Sequence, residues 1–416
     1  MIVEILATGN ELLSGALVDT NSAYISEKLG EIGIMTIRHT LIGDDKDVLN
    51  ATFTELSRRA DIIIVTGGLG PTRDDLSREI AARVAGVDLG LDQVSLEKIE
   101  QFFLTRGRKA PKNNRIQAQF PDGAEILENP IGTAPGFALK INRGTFFFMP
   151  GVPAEMRKML SEQIIPRIIK MIKDPYYYEC KTISTFGLGE SAIEEKLDGF
   201  LDCFPDIDLG FRASFPEVQV KLYQKNRSQT ALINYQKEAV NWIKKRLDKK
   251  IISFDGASLS VVVGKLLVNK KSTLAVAESC TGGMIANLLT NNPGSSEYFI
   301  LSAVTYADIA KQKILGVTPE ILKKYGAVHE ETAKAMADGA RKLAGSTYAI
   351  STTGIAGPDG GTQEKPVGTI CIGLAGPEGV TSKRYFFPFG KRQLNKKIFS
   401  AQALNVLRRE LLSENN

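Results

Sequence analysis

Short apolar runs alternate with amphipathic helical stretches through the first third of the chain, and this rhythm restricts the fold more than any other feature. IVEILAT (2–8) precedes NSAYISEKLGEIG (21–33), where Ile25, Leu29 and Ile32 fall at i, i+4 and i+7 before Gly33. The pattern repeats through MTIRHTLIG (35–43), VLNATFTELSRRA (48–60), the apolar DIIIVTGG (61–68) and LSREIAARVAG (76–86). Strand and helix in alternation predict a mostly parallel sheet covered by helices, with ligands at the carboxyl ends of the strands. FALKI and TFFFM, joined by NRG, read as a hairpin closing this α/β unit, followed by a helix over 154–172.

After Asp174-Pro175 the pattern changes. YYYECKTISTFG reads as a strand and SAIEEKLDGFL as a helix opened by a Ser191/Glu194 capping box. DIDLGFRAS and EVQVKLYQKN are strands, and a Lys-rich helix runs to about Lys250. From about Ala257 strands and helices alternate again, through TLAVAES, FILSAVTY, YAISTTG, GTICIGLAG and SKRYFFP to a charged terminal helix from Lys391. With 416 residues, and roughly 150 per domain, the expectation is three α/β or α+β domains, spanning 1–170, 171–254 and 255–416.

Composition excludes several classes. The 52 Lys and Arg against 47 Asp and Glu leave +5, too diffuse for a dedicated nucleic-acid binder. No run reaches the eighteen or so apolar residues of a spanning helix, and no cationic leader precedes an apolar run, so a cytoplasmic location without membrane contact is expected. Cys180, Cys203, Cys280 and Cys371 lack CxxC spacing and read as reduced thiols.

TGGLGPTRDD (66–75) runs from an apolar strand into Gly67, Gly68 and Gly70, then Asp74 and Asp75. Glycines admit an anion close to backbone N–H groups, and paired acids can hold a divalent cation beside phosphate; as an alternative, either acid caps the next helix. Asn10, Glu11, Asp19 and Asn21 follow the first strand, and Asp44 and Asp45 the second, so parallel strands would gather these groups on one rim. NPIGTAPG (129–136) and MPGVPAEM (149–156) are rigid turns.

AESCTGG (277–283) sets Ser279 at a strand exit before Gly282 and Gly283, a context that displays a hydroxyl beside free N–H groups. VTYADIAK presents Tyr306 at another strand end, with Lys311 about a turn beyond. Ser279, Lys311 and Tyr306 thus form a candidate Ser-Lys centre. Taken singly, Ser279 is an ordinary N-cap, Lys311 a solvated charge and Tyr306 a core-edge residue. Cys280 is the rival nucleophile, since a thiol at a helix N-terminus is acidified, and only one of two adjacent side chains is expected to face a pocket. The two histidines, His39 and His329, are poor candidates for a catalytic base. GIAGPDGG (354–361), with Gly354, Gly357 and Gly360, suits a phosphate or carboxamide, or is an ordinary turn.

These motifs, in order and from end to end, resemble the bacterial CinA family, the competence/damage-inducible protein A group. The resemblance implies an N-terminal molybdopterin-binding fold of the MoaB/MogA type, hydrolysing ADP-ribose to AMP and ribose 5-phosphate. Asp74 and Asp75 would hold a divalent metal, cobalt or magnesium, with potassium as a further ion, and Asn10, Glu11, Asp19 and Asn21 would line that pocket. It implies a KH-like middle module without a GxxG clamp, so no nucleic-acid partner is expected. It also implies a C-terminal nicotinamide-nucleotide amidohydrolase, needing no cofactor, that turns nicotinamide mononucleotide into nicotinate mononucleotide and ammonia. There Ser279 would be the nucleophile, Lys311 its base and Tyr306 an assistant. N–H groups around Thr281, Gly282 and Gly283 would hold the oxyanion, and the 354–361 loop would grip the nucleotide. A homodimer is expected. Two departures are small: Ser77 stands where many relatives show Thr, and His329 where many show Ser, which argues against His329 in catalysis. The competing readings are a pterin- or nucleotide-binding N-terminal module without turnover, and an accessory of competence or DNA-damage repair acting through partners.

Overall fold

A computed structural model describes residues 1–172 and 177–413; Asp174, Pro175 and Tyr176, where the sequence pattern changes, lie outside the described residues. Contacts divide the chain into two compact units, Met1–Cys180 with Gln224–Asn234, and Lys181–Tyr223 with Tyr235–Asn416.

The N-terminal domain is built on β1 (Val3–Thr8), β2 (Thr36–Ile42) and β3 (Ile62–Thr66), then β4 (Leu89–Leu91), β5 (Gln119–Pro121), β6 (Glu125–Leu127), β7 (Gly136–Ile141) and β8 (Gly144–Met149). The main sheet runs β2-β1-β3-β8-β7-β6, and β4 pairs separately with β5. β1 is parallel to β2 and β3, and β3 to β8, in a register that sets Thr8 beside Ile42 and Thr66 beside Met149. The C-terminal ends of these strands therefore share one rim, as the alternation predicts. β1 and β3 are buried along their whole length, as strands covered by helices on both faces must be. Leu6, Phe53, Val65 and Phe148 pack on one face, Ile5, Ile25, Ile64 and Met156 on the other. The expected hairpin is β7 and β8, paired antiparallel. The helix expected over 154–172 is three pieces: Pro153–Met159, a π-helical turn at Leu160–Ile164, and Ile165–Met171. Pro166 lacks the N–H that a continuous helix would use there.

The middle module carries β9 (Tyr177–Phe186), β10 (Ile207–Ser214), β11 (Glu217–Asn226) and β12 (Ile251–Ser253), in sheet order β10-β11-β9-β12. The expected Ser191/Glu194 capping box does not form. The helix starts earlier, at Glu190, with Gly189 as a cap lacking a side chain, and ends at Lys196. A separate turn, Phe200–Cys203, follows the left-handed Gly199.

The C-terminal domain carries β13 (Leu274–Glu278), β14 (Phe299–Val304), β15 (Tyr348–Gly354), β16 (Thr369–Gly376) and β17 (Gly379–Phe386), in order β14-β13-β15-β16-β17. β13 is parallel to β14 and β15, and the last two strands are antiparallel. One face carries Val276, Ile350, Ile372 and Phe399, the other Ala277, Met336, Ala337 and Ala349. The alanines of this face, Ala275, Ala277, Ala349 and Ala375, let the amphipathic helix Glu330–Ala344 lie close on the sheet. No helix among the described residues is long and apolar enough to cross a membrane.

Candidate active site

Register brings the C-terminal site together. Glu278 ends β13 opposite Val304 of β14 and Thr352 of β15, so the segments after 278, 304 and 352 leave the sheet side by side. The Ser279 N–H donates to the Thr352 carbonyl at 3.0 Å, and the Thr305 N–H to the Glu278 carbonyl at 2.8 Å. The chain then reverses through Gly282 (φ +58°) and Gly283 (φ +89°), a left-handed pair that side-chain-bearing residues resist. The helix Met284–Thr290 starts from Gly283. Ser279 therefore does not cap it. That task falls to Glu278, fully buried, which accepts from the N–H groups of Gly283 (2.9 Å), Ile285 (3.2 Å) and Ala286 (2.9 Å).

A cavity of about 200 Å³ opens above this turn, lined among others by Ser279, Cys280, Tyr306, Lys311, Gly354 and Arg392. Ser279 is 8 % exposed. Lys311 is no solvated charge: it is 1 % exposed, donates to the Tyr306 carbonyl at 3.0 Å and lies 3.4 Å from Asp308 Oδ1. Among the described residues no hydrogen bond links the Ser279 hydroxyl to the Lys311 amine; the two face the same hollow, an arrangement common before substrate tightens catalytic contacts. Tyr306 is not a core-edge residue. It is 60 % exposed at the mouth, its hydroxyl accepting from Arg392 at 3.0 Å.

Ser279 and Cys280 both line the cavity, against the expectation that only one would. Burial separates them chemically. Cys280 is packed into the core, and loss of water pushes its thiol up to about 12, so it stays protonated and poorly nucleophilic at neutral pH. His329 caps the helix Glu330–Ala344, its Nδ1 accepting from the Glu331 N–H at 3.1 Å and its ring stacked on Tyr325. His39 lies on β2 in the other unit, 2.6 Å from the Ser26 hydroxyl.

Of the proposed oxyanion donors, the Gly282 N–H bonds to the Ser279 carbonyl at 3.2 Å and the Gly283 N–H to Glu278. The Thr281 hydroxyl, fully buried, pairs with Thr352 at 2.8 Å. In the glycine loop, Gly354 lines the cavity and the Gly357 carbonyl accepts from Arg392 at 2.7 Å, while Gly360 is not part of the lining. Asn395 holds the same loop, donating to the Ala356 and Phe389 carbonyls at 3.0 and 2.7 Å. Glu278, Arg392 and Asn395 escaped sequence reasoning.

The N-terminal rim also gathers the expected groups. Asn10 and Asp44 clasp each other, the Asn10 N–H donating to Asp44 Oδ2 at 3.0 Å and the Asp44 N–H to Asn10 Oδ1 at 3.1 Å. Asn21 donates to the Gly151 carbonyl at 2.7 Å; Asp19, before the helix Asn21–Glu31, accepts from the Ser22 N–H, and Asp45 caps a helix start, accepting from Asp47 and Val48. Gly67 and Gly68 are required by space: a Cβ would stand 2.4 Å from the Thr8 carbonyl and 2.3 Å from the Ser77 hydroxyl. Ser77 in turn donates to the Gly67 carbonyl at 3.1 Å. Neither Asp74 nor Asp75 caps the next helix. Asp75 braces the loop, accepting from the Gly70 and Thr72 N–H groups at 2.7 and 2.8 Å, whereas Asp74 is exposed. Arg78, buried beneath, donates to the Leu69 and Gly70 carbonyls. Burial, opposed by the Asn10 N–H and reinforced by Glu11, Asp74 and Asp75, raises the Asp44 carboxyl above its usual range. Among the described residues no three His, Cys, Asp or Glu side chains group as metal ligands. The hard oxygens present suit a cation completed by water and phosphate.

Fold and sites define a three-domain α/β protein with a cavity at the parallel strand ends around Ser279 and a cluster of polar side chains at the parallel strand ends around Asp74. Three family models match in succession: a probable molybdopterin binding domain over residues 4–170, the damage-inducible protein CinA KH domain over 180–253, and the CinA C-terminal domain over 256–411. A CinA-like protein of Desulfosudis oleivorans is 47 % identical over 413 residues, 99 % of this chain and 100 % of that one. The nicotinamide-nucleotide amidohydrolase PncC of Shewanella oneidensis is 41 % identical over 418 residues, covering 100 % and 97 %. A crystal structure of competence damage-inducible protein A from Klebsiella pneumoniae is 32 % identical, covering 37 % of this chain and 95 % of that one, with TM-score 0.36. The chain belongs to the CinA family, with an N-terminal domain that matches the probable molybdopterin binding domain, a KH-like middle domain and a CinA C-terminal domain.

Proposed function

We propose that the C-terminal domain is a nicotinamide-nucleotide amidohydrolase acting on nicotinamide mononucleotide through Ser279 and Lys311. The observation that carries this reading is a buried lysine sharing a small polar cavity with a strand-end serine, in a chain alignable over its length with a relative named for that activity. In the scheme, the Lys311 amine takes the Ser279 proton as Oγ bonds to the carboxamide carbon. The tetrahedral oxyanion lies against turn N–H groups, Thr281 among them. Collapse breaks the C–N bond, the proton on Lys311 passes to the leaving nitrogen, and ammonia departs. Water, deprotonated by the same amine, then cleaves the acyl ester to give the carboxylate and restore Ser279. Tyr306, at the mouth, assists in positioning substrate.

Ser279→Ala is expected to lower ammonia release from nicotinamide mononucleotide by about 10³-fold or more, the scale of losing a covalent nucleophile. Cys280→Ala is expected to retain activity within a few-fold. An enzymatic ammonia assay reads both, and the reverse pattern would transfer the nucleophile to Cys280.

The N-terminal domain is proposed to hydrolyse ADP-ribose to AMP and ribose 5-phosphate with a divalent cation, cobalt or magnesium. Asp74 and Asp75 would hold the ion, with water and phosphate oxygens completing its shell. It would neutralise charge on the pyrophosphate, while Gly67, Gly68 and Gly70 admit the phosphates close to the backbone. A homodimer is part of the same proposal.

A further inference from the structure

Two side chains at the mouth of the Ser279 cavity have no part in the scheme above. The terminal helix Arg392–Ser413 starts beside the cavity, and positions 392 and 396 lie one turn apart on one of its faces. Arg392 lines the opening, held by two neutral acceptors, the Gly357 carbonyl at 2.7 Å and the Tyr306 hydroxyl at 3.0 Å. Lys396, one turn further on, lies against the turn that carries the serine: its Nζ is 3.4 Å from where a Cβ on Gly282 would stand. Among the described residues, neither cation is bonded to a carboxylate, and the Lys396 amine has no hydrogen-bond partner. One such charge therefore lines the cavity and a second stands beside the turn that leads out of it.

The size of the cavity gives them a task. About 200 Å³ falls below the roughly 300 Å³ at which sites begin to enclose a whole small ligand. An aromatic carboxamide fits inside, while the ribose and phosphate of a nucleotide must remain at the rim, where a planar guanidinium fork and a point-charge ammonium suit a phosphate dianion. We propose that Arg392 and Lys396 form a phosphate clamp that makes this site select the nucleotide over its phosphate-free nucleoside. The inference rests on the amidohydrolase reading of the Ser279 cavity.

The competing role for Arg392 is to brace Tyr306 and the 354–357 loop. Bracing acts on every substrate alike, and Lys396 touches neither element. The test measures ammonia release from nicotinamide mononucleotide and from nicotinamide riboside by the full-length wild type, Arg392→Gln and Lys396→Gln. Each variant should raise KM for the mononucleotide about 10- to 100-fold, the range of one charge-assisted hydrogen bond, with kcat nearly unchanged. In Lys396→Gln turnover of the riboside should stay within about three-fold of wild type, and inorganic phosphate should compete with the mononucleotide in the wild type and less in Arg392→Gln. Equal losses on both substrates, or no loss on either, would overturn the clamp. Wild-type turnover of the mononucleotide with no preference over the riboside would overturn it too, leaving the amidohydrolase standing. A wild type that releases ammonia from neither substrate sinks the amidohydrolase reading and the clamp with it.

Discussion

Inside the C-terminal domain the Lys311 ammonium has surrendered almost all its water for the Tyr306 carbonyl and one oxygen of the exposed Asp308. Two acceptors are thin compensation for a group with three donors, and stripping water from a cation costs several kcal/mol unless its partners are well placed. A lysine retained only for stability would serve worse than a hydrophobe of the same length. Lys311→Met should therefore leave the melting temperature unchanged within about 2 °C, or raise it. The same change should lower ammonia release by about 10³-fold, the scale of a lost general base. Calorimetry and the ammonia assay on one preparation decide the matter. A variant that unfolds, or one that keeps its activity, would make the buried amine structural.

At the scale of elements, the turn between β13 and Met284–Thr290 depends on a carboxylate that no motif singles out. Glu278 satisfies three N–H donors at the start of a short helix, and leaving them unpaired in the interior costs about 1–3 kcal/mol for each donor not rescued by water. Glu278→Ala should destabilise the protein by about 3 kcal/mol in urea unfolding, and Glu278→Gln, which keeps one acceptor oxygen, by less. An alanine variant with wild-type stability would show that the turn is held by other means. The same element shows what a sequence displays and what it hides. Strand, reversal and helix are legible at 274–290 because apolar runs and paired glycines are local signals, and Ser279 is legible because it stands between them. Glu278 is not, since an acid ending a strand reads as solvent-facing until its neighbours are known. The Ser191/Glu194 spacing misleads for the opposite reason: the pattern is present, but Gly189 starts the helix instead, and Gly199 opens the next turn. Arg392 stands more than a hundred residues from Ser279, and only β-sheet register and the packing of the last helix bring it to the cavity. Lys311 gives no sign of burial in a sequence where a helical lysine is ordinarily exposed.

The molecule as a whole repeats one device, polar side chains gathered where parallel strands end, above strands packed on both faces. The N-terminal cluster rests on packing around Phe53, Phe148, Ile64 and Met156, and the C-terminal one on packing around Ile350, Phe399, Met336 and Ala349. Each falls within its own compact unit. Units with separate cores tolerate damage to each other's sites, so the two proposed activities should be separable by substitution. The choice of residue matters. Asp75 braces the Gly70–Thr72 loop through both carboxylate oxygens, so changing it disturbs backbone as well as charge, whereas exposed Asp74 meets that loop through the Thr72 side chain and leaves its backbone bonds in place. With ADP-ribose and a divalent cation supplied, Asp74→Asn should raise the cation concentration needed for half-maximal AMP formation about ten-fold, the effect of losing one carboxylate ligand. Deamidation should not change. Ser279→Ala should do the reverse, abolishing ammonia release while AMP formation continues at the wild-type rate. Tight ADP-ribose binding by the wild type, with no AMP formed at any cation concentration, would instead make the N-terminal domain a binding module. Parallel loss of both activities in Asp74→Asn would mean that the two sites share a structural fate, against the separate cores that support each sheet.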